Sequence, residues 1–186
     1  MTDMNRRVFT LTGLGALVTT AACGNGVGSP GPNIIDARVD TTLSYMFNNY
    51  PGTRELADKS VGMLVMPLVT EAGFGLGGAY GRGSLRINNA TVDYYSSTKG
   101  SIGLQIGAQQ YAHVLFFMTP EALQDFRRGS GWAAGANIEY AVADQGEKIR
   151  AETTTSLAPI VAVVFGQTGL RLGATLEGAK YNRIIP

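Results

Sequence analysis

The chain has one cysteine, Cys23, which follows a short segment without charged residues. Arg6 and Arg7 precede that segment, which runs from Val8 to Ala22 and ends in small residues. A basic start, a short apolar stretch and small residues before a cysteine are typical of a bacterial lipoprotein signal. In such a signal the thiol receives diacylglycerol and becomes the new N-terminus, so we predict Cys23 as the lipidation site, with palmitate among its acyl groups. The alternative is an ordinary signal peptide with an incidental cysteine.

The residues around Cys23 also indicate the export route and the cellular location of the protein. The paired arginines, followed by Val-Phe, resemble a twin-arginine export signal, and both that route and Sec export remain open. We predict residues 1–22 as the signal peptide and residues 23–33, rich in Gly and Pro, as a lipidated tether. Gly24 is not the Asp that often retains lipoproteins in the inner membrane. The prediction is therefore an outer-membrane lipoprotein that faces the periplasm.

Length and composition exclude several classes of protein. The chain has 186 residues, which indicates one domain. Its 15 Lys+Arg are balanced by 14 Asp+Glu, so it lacks the excess of basic residues that is typical of nucleic-acid-binding proteins. A single cysteine excludes an internal disulfide framework, and a single histidine excludes the usual zinc sites. The carboxylates are scattered, with neither a calcium-loop pattern nor a paired-acid spacing. We predict no metal, no cofactor and no nucleic-acid partner.

Two further features could do chemistry, and neither indicates an enzyme. Gly73–Gly78 fits the G-x-G-x-x-G fingerprint, but the residues after it are poor helix material, so a nucleotide site is not favoured. His113 lies in an apolar strand pattern. A catalytic histidine needs a nucleophile and an orienting acid nearby, and the spacing of the Ser and Asp residues identifies neither. We interpret the glycine motif as a curved strand and His113 as a structural residue, and we predict that the protein is not an enzyme.

Periodicity predicts helices and strands for the domain, which we place at residues 34–186. Ile34–Asn49 repeats its apolar residues at helical spacing, Thr53–Lys59 forms a short second helix with Thr53 as its cap, and Thr119-Pro120 begins a helix that ends near Arg128. Strands are predicted at 61–69, 73–84, 91–95, 101–118, 132–142, 158–165 and 170–180, with a turn at Asn88-Asn89. The segment 101–118 is either one long bent strand or two.

Glycine spacing in the predicted strand 73–84 indicates a strongly bent sheet. Every odd position from 73 to 83 is Gly or Ala, so one face of this strand carries nothing larger than a methyl group. Such a face lets another backbone or a helix approach closely, and glycine-rich strands bend as curved sheets require. The predicted fold class is α+β, mainly β. It is a strongly curved or barrel-like antiparallel sheet of Gly-rich strands, with an N-terminal helix and one mid-chain helix.

Six short blocks, in order along the chain, resemble the SYLF domain. They are PGTRELA at 51–57, GMLVMP at 62–67, AGFGLGGAYGRG at 72–83, TVDYYS at 91–96, GLQIGA at 103–108 and TPEAL at 119–123. Gly131-Trp132 and Leu176–Ala179 continue the resemblance, which covers about residues 37–180. The family is known for lipid binding: its eukaryotic members bind phosphoinositides beside actin regulators, and its bacterial members are mostly exported proteins or lipoproteins. The resemblance therefore implies phospholipid binding without catalysis.

The resemblance also bears on which part of the domain would contact the lipid. The helix at 34–49 would correspond to the amphipathic helix that eukaryotic members place at the membrane, but Arg38 is its only basic residue. The residues we predict to contact lipid, with a preference for anionic headgroups, are therefore three cations and two tyrosines: Arg82, Arg86, Lys99, Tyr80 and Tyr94. The alternative is a non-enzymatic structural or protein-interaction module of the envelope, with another envelope protein as its partner.

Overall fold

The computed structural model describes residues 31–129, 131–135, 138–140, 158–166, 169–170 and 176–186. Two helices come first, α1 at Gly31–Asn49 and α2 at Gly52–Lys59, followed by the long strands β1 at Gly62–Ile87 and β2 at Ala90–Phe117. The helix α3 spans Pro120–Arg128. The remaining strands are β3 at Trp132–Ala133, β4 at Ile138–Tyr140, β5 at Ile160–Gly166, β6 at Gly169–Leu170 and β7 at Lys180–Ile184.

The hairpin of β1 and β2 is the centre of the sheet. The two strands pair antiparallel from Gly62 opposite Phe117 to Ile87 opposite Ala90. Asn88 and Asn89 connect them with φ angles of 50° and 63°. Two consecutive positive φ angles match the right-handed twist of a hairpin, and Asn tolerates this conformation better than most residues. The predicted turn is confirmed.

One seven-stranded sheet forms around this hairpin. Its order is β3-β7-β2-β5-β4, with β1 paired to β2 and β6 paired to β5. All these pairs are antiparallel except β4 with β5, which is parallel. The sheet curls into a half-barrel with a core on each face, and the mainly β fold with an N-terminal helix is confirmed.

The two cores follow from the alternation of side chains along the strands. Leu64 and Met66 of β1 face the inside of the curl together with Leu85 and Tyr95, whereas their neighbours Met63 and Val65 face outward. The outer core is covered by Ile35, Val39 and Met46 of α1 and Leu56 of α2. Burying the apolar stripe of a helix in this way stabilises each such side chain by about 1.5–3 kcal/mol. The position of α1 is therefore set by its own apolar periodicity.

The glycines of β1 allow the strand to fold back over itself. A Cβ atom added at Gly81 would lie 2.8 Å from the carbonyl oxygen of Leu68, and one at Gly83 would overlap the carbonyl oxygen of Val65 and lie 2.7 Å from the sulfur of Met66. The second half of β1 thus passes directly against the backbone of its first half. The small face predicted from the glycine spacing is used here for close approach.

Several element boundaries differ from the sequence-based expectation. The two strands predicted at 61–69 and 73–84 are one strand, β1, which bends at irregular registers instead of breaking. Thr53 is not a cap, because its hydroxyl donates to the carbonyl oxygen of Tyr50. The last predicted strand, 170–180, is wrong in its C-terminal part: residues 176–179 form a turn with Gly178 at φ 77°, and strand β7 follows it.

Replacing Gly83 by Ala is expected to destabilise the domain by at least about 2 kcal/mol, because the added methyl group overlaps the backbone at Val65 and the strand cannot move away without opening the curl. Gly100→Ala is the matched control, since a Cβ there meets nothing within 4 Å. Urea unfolding of the two variants measures the difference. Equal stability of Gly83→Ala and Gly100→Ala would show that the two halves of β1 are not in contact.

Candidate functional site

A polar network attaches α1 to the turn end of the hairpin. Asp36 of α1 accepts hydrogen bonds from the hydroxyl of Thr91 at 2.7 Å and from the hydroxyl of Tyr94 at 2.8 Å. Arg86 of β1 donates to Asp40 at 2.7 Å and lies 3.5 Å from the carboxylate of Asp36. Burial, with the hydrogen bond to Asp36, raises the pKa of Tyr94 to about 12. Tyr94 therefore stays protonated and donates to Asp36 at all physiological pH values.

This network takes up two of the five residues predicted to contact lipid. The side chain of Arg86 is only 12 % exposed and is ion-paired to both carboxylates of α1. Tyr94 packs against the outer core beneath α1. The charge of Arg86 and the hydroxyl group of Tyr94 hold the helix on the sheet, a contact that the sequence did not predict.

Tyr80 and Arg82 lie elsewhere on the hairpin, on one face of β1. They are two residues apart, so their side chains point the same way, and the register places Thr98 and Ser96 of β2 opposite them. Tyr80 is 54 % exposed, and Arg82 is half-buried and forms no ion pair with any described residue. We call Tyr80, Arg82 and Thr98 the hairpin surface.

Lys99 does not lie on the hairpin surface. It pairs with Ala79, which is buried in the inner core, and directly opposed residues of an antiparallel pair share a face. Lys99 therefore extends from the side of the hairpin opposite to Arg82. The structure brings Tyr80 and Arg82 together and separates them from Lys99. Arg86 and Tyr94 lie on the same face farther along the hairpin, where α1 occupies them.

His113 is buried in the inner core, where its Nε2 is 2.8 Å from the hydroxyl oxygen of Tyr181. Its other ring nitrogen, Nδ1, has no hydrogen-bond partner among the described residues. Burial lowers the pKa of His113 to about 3, because the charged imidazolium loses its hydration there. The ring is therefore neutral at physiological pH, in keeping with its interpretation as a structural residue.

An open cavity of about 360 Å³ between α1 and the sheet was not predicted. Its lining includes Thr41, Thr42 and Tyr45 of α1, Leu68 of β1, Gln110 of β2 and Phe165 of β5. The ring of Tyr45 stacks on that of Phe165 with centroids 6.0 Å apart. The cavity could not be found from periodicity alone, because it exists only where α1 crosses three strands that are distant in sequence.

Other predicted residues fall outside the described part of the chain. Arg6, Arg7 and Cys23 all precede residue 31, where α1 begins. Residues 31–33, assigned to the tether, form the first turn of that helix. No helix in the described part is both long and apolar enough to cross a membrane. Among the described residues, no group of three or more His, Cys, Asp or Glu side chains could hold a metal ion.

The structure thus defines a helix-backed, curled β domain with an aromatic and basic hairpin surface. Residues 98–183 match the family model described as Ysc84: Las17-binding protein actin regulator. This match covers a little under half of the chain, and it is consistent with the resemblance to the SYLF domain family that the sequence blocks indicated. A search of curated proteins found no matching relative.

The burial of His113 predicts a pH dependence of stability. The unfolded chain, with a histidine pKa of about 6.5, binds a proton that the folded chain does not bind until about pH 3. The free energy of unfolding therefore does not depend on this histidine well above pH 6.5. It decreases as the pH falls below that value, by about 2 kcal/mol at pH 5. Urea unfolding at pH 7, 6 and 5 measures this decline, and His113→Gln is expected to remove it. The same pH slope in the variant and in the original chain would contradict the assignment.

Proposed function

We propose that the protein is a lipid-anchored protein of the bacterial cell envelope whose SYLF domain binds phospholipid at a membrane surface and has no catalytic activity. The observation that carries the proposal is the hairpin surface, which places an exposed tyrosine beside a cation without an ion-pair partner among the described residues. The lipid-binding character of the family supports it.

The chemistry of the hairpin surface suits the interface of a bilayer. The ring of Tyr80 combines an apolar body with a hydroxyl group, and such side chains favour the headgroup level of membranes. Arg82 next to it would contribute about 1 kcal/mol near an anionic surface. Contacts of this size are weak on their own, and we expect them to discriminate between lipids instead of holding the protein at the membrane.

The position of α1 makes this helix a smaller part of the contact. Its apolar residues Ile35, Val39 and Met46 are buried against the sheet and are not available to a bilayer. Only its outer side is exposed, where Ile34 and Arg38 lie. The helix that the family resemblance assigned to the membrane is therefore used mainly to complete the outer core.

A lipid on Cys23 would keep the domain close to the membrane. Cys23 precedes the start of α1 by eight residues, a span of at most about 28 Å when fully extended. Two acyl chains give stable attachment, and tethering at this range raises the effective concentration of the domain at the bilayer. Weak contacts at the hairpin surface then suffice for lipid selection. The proposed location is the periplasmic face of the outer membrane.

The anchor is tested by Cys23→Ser, with Ala22→Ser as the matched control that keeps the thiol. Labelled palmitate is expected to enter the control and not Cys23→Ser, and the latter is expected to leave the membrane fraction. Cell fractionation with a high-salt wash and detection of the label are the measurements. Palmitate incorporation into Cys23→Ser would show that the cysteine is not the lipidation site.

Lipid selection is tested on the full-length chain carrying Cys23→Ser, by flotation with liposomes of phosphatidylglycerol or of phosphatidylcholine. Arg82→Ala is expected to weaken binding to phosphatidylglycerol about fivefold, the equivalent of about 1 kcal/mol, and to leave binding to phosphatidylcholine unchanged. Lys99→Ala is the matched control, since it removes a cation from the other face of the same hairpin. Equal losses in the two variants would contradict the hairpin surface.

A second candidate function is that of a protein-interaction module, and the description of the matching family favours it because it names a protein partner, Las17. For this chain the partner would be a protein of the envelope. Liposomes without protein separate the two candidates. Binding to them supports the lipid function, and its absence at all lipid compositions favours the protein partner.

A further inference from the structure

The cavity between α1 and the sheet has a lining that combines exposed polar residues with buried apolar ones. Thr41 and Gln110 of the lining are exposed, while Ala112 and Phe165 are buried. A lining of this kind matches an amphiphile, whose polar part stays near water while its hydrocarbon part is enclosed. We propose that the cavity binds one ester-linked acyl chain of a membrane phospholipid, a proposal that rests on the lipid-binding function above.

Charge and size limit what the cavity can hold. None of the described residues that line it is charged, so a headgroup phosphate would have no cation to pair with inside. By proportion to a protein cavity of about 150 Å³ that holds the six carbons of benzene, 360 Å³ has room for about 14 carbon atoms. This is the size of one acyl chain and is too small for the two chains of a phospholipid together.

The polar groups of the lining favour an ester over a free fatty acid. Thr42 and Gln110 supply a hydroxyl group and an amide, which can donate to the neutral carbonyl oxygen of an ester. A free fatty acid would instead bring a carboxylate, and a charge near an uncharged, partly apolar lining is costly without a partner. The occupant is therefore the chain and ester of a phospholipid, with its headgroup outside.

The experiment uses the full-length chain with Cys23→Ser, which carries no acyl group of its own at this position, and the uncharged fluorophore N-phenyl-naphthylamine as the probe. Saturable fluorescence enhancement is expected, and lysophosphatidylglycerol below its micelle concentration is expected to displace the probe at least tenfold more tightly than palmitate. Absence of saturable binding overturns the proposal. Tighter displacement by palmitate overturns the ester-linked occupant.

Matched variants locate the binding. Thr42→Trp fills the cavity, whereas Ser44→Trp places the same side chain on the exposed side of α1. Thr42→Trp is expected to weaken lysophosphatidylglycerol binding at least tenfold relative to Ser44→Trp, with both variants checked for folding by thermal unfolding. Leu68→Asp, at a partly exposed lining position, adds a charge without filling the cavity and is expected to cause a similar loss. Unchanged binding in folded Thr42→Trp or Leu68→Asp overturns the assignment.

Because the probe assay contains no bilayer, it is independent of the hairpin surface. If the chain floats with liposomes but binds no single-chain lipid, the cavity proposal alone is wrong. If it binds lysophosphatidylglycerol but not liposomes, the cavity proposal holds and the membrane-surface function is wrong.

Discussion

The backbone of β1 approaches itself at Gly81 and Gly83, and the form of the sheet depends on that contact. An ordinary side chain at either position would collide with the carbonyl groups of Leu68 or Val65. Without the contact the two halves of the hairpin would diverge, and Leu85 could not share a core with Leu64 and Met66. The curl, the inner core and the seam between the halves of β1 therefore rest on two positions without a Cβ atom.

The curl also decides what the charged residues of the hairpin do. It turns the outer faces of both halves toward α1, which covers them with an apolar stripe and fastens itself with Asp36 and Asp40. The same two carboxylates also hold Arg86. Arg86, which looks available in the sequence, is thereby ion-paired to α1, whereas Arg82, four residues earlier on the same strand, has no ion-pair partner among the described residues.

The path of α1 over the sheet defines the two features on which the functional proposals rest, the hairpin surface and the cavity. Beyond the end of the helix contact, Tyr80 and Arg82 stay on an open face of β1. Where the C-terminal half of α1 passes over β1, β2 and β5, Tyr45 stacks on Phe165 and the space beside them remains open. A surface for headgroups and a cavity for a chain would together let one small domain engage both parts of a phospholipid.

The sequence by itself determined the local structure and indicated a family resemblance. Alternation along β1 and β2, the Asn88-Asn89 turn and the Thr119-Pro120 start of α3 depend on neighbouring residues, so they could be predicted, and α3 is capped by Thr119 as expected. The family blocks are equally local. The small face of the glycine strand was predictable as a face, although not the partner that it meets.

Only the tertiary structure decided which predicted residues remain available for binding. Lys99 and Arg82 look equivalent in sequence, yet a single step of strand register places them on opposite faces. Arg86 and Tyr94 are occupied because α1, some fifty residues earlier in the chain, supplies their partners. The cavity depends on the same long-range crossing. Pairing and burial between distant segments are fixed by packing of the whole sheet, and a local pattern carries no information about them.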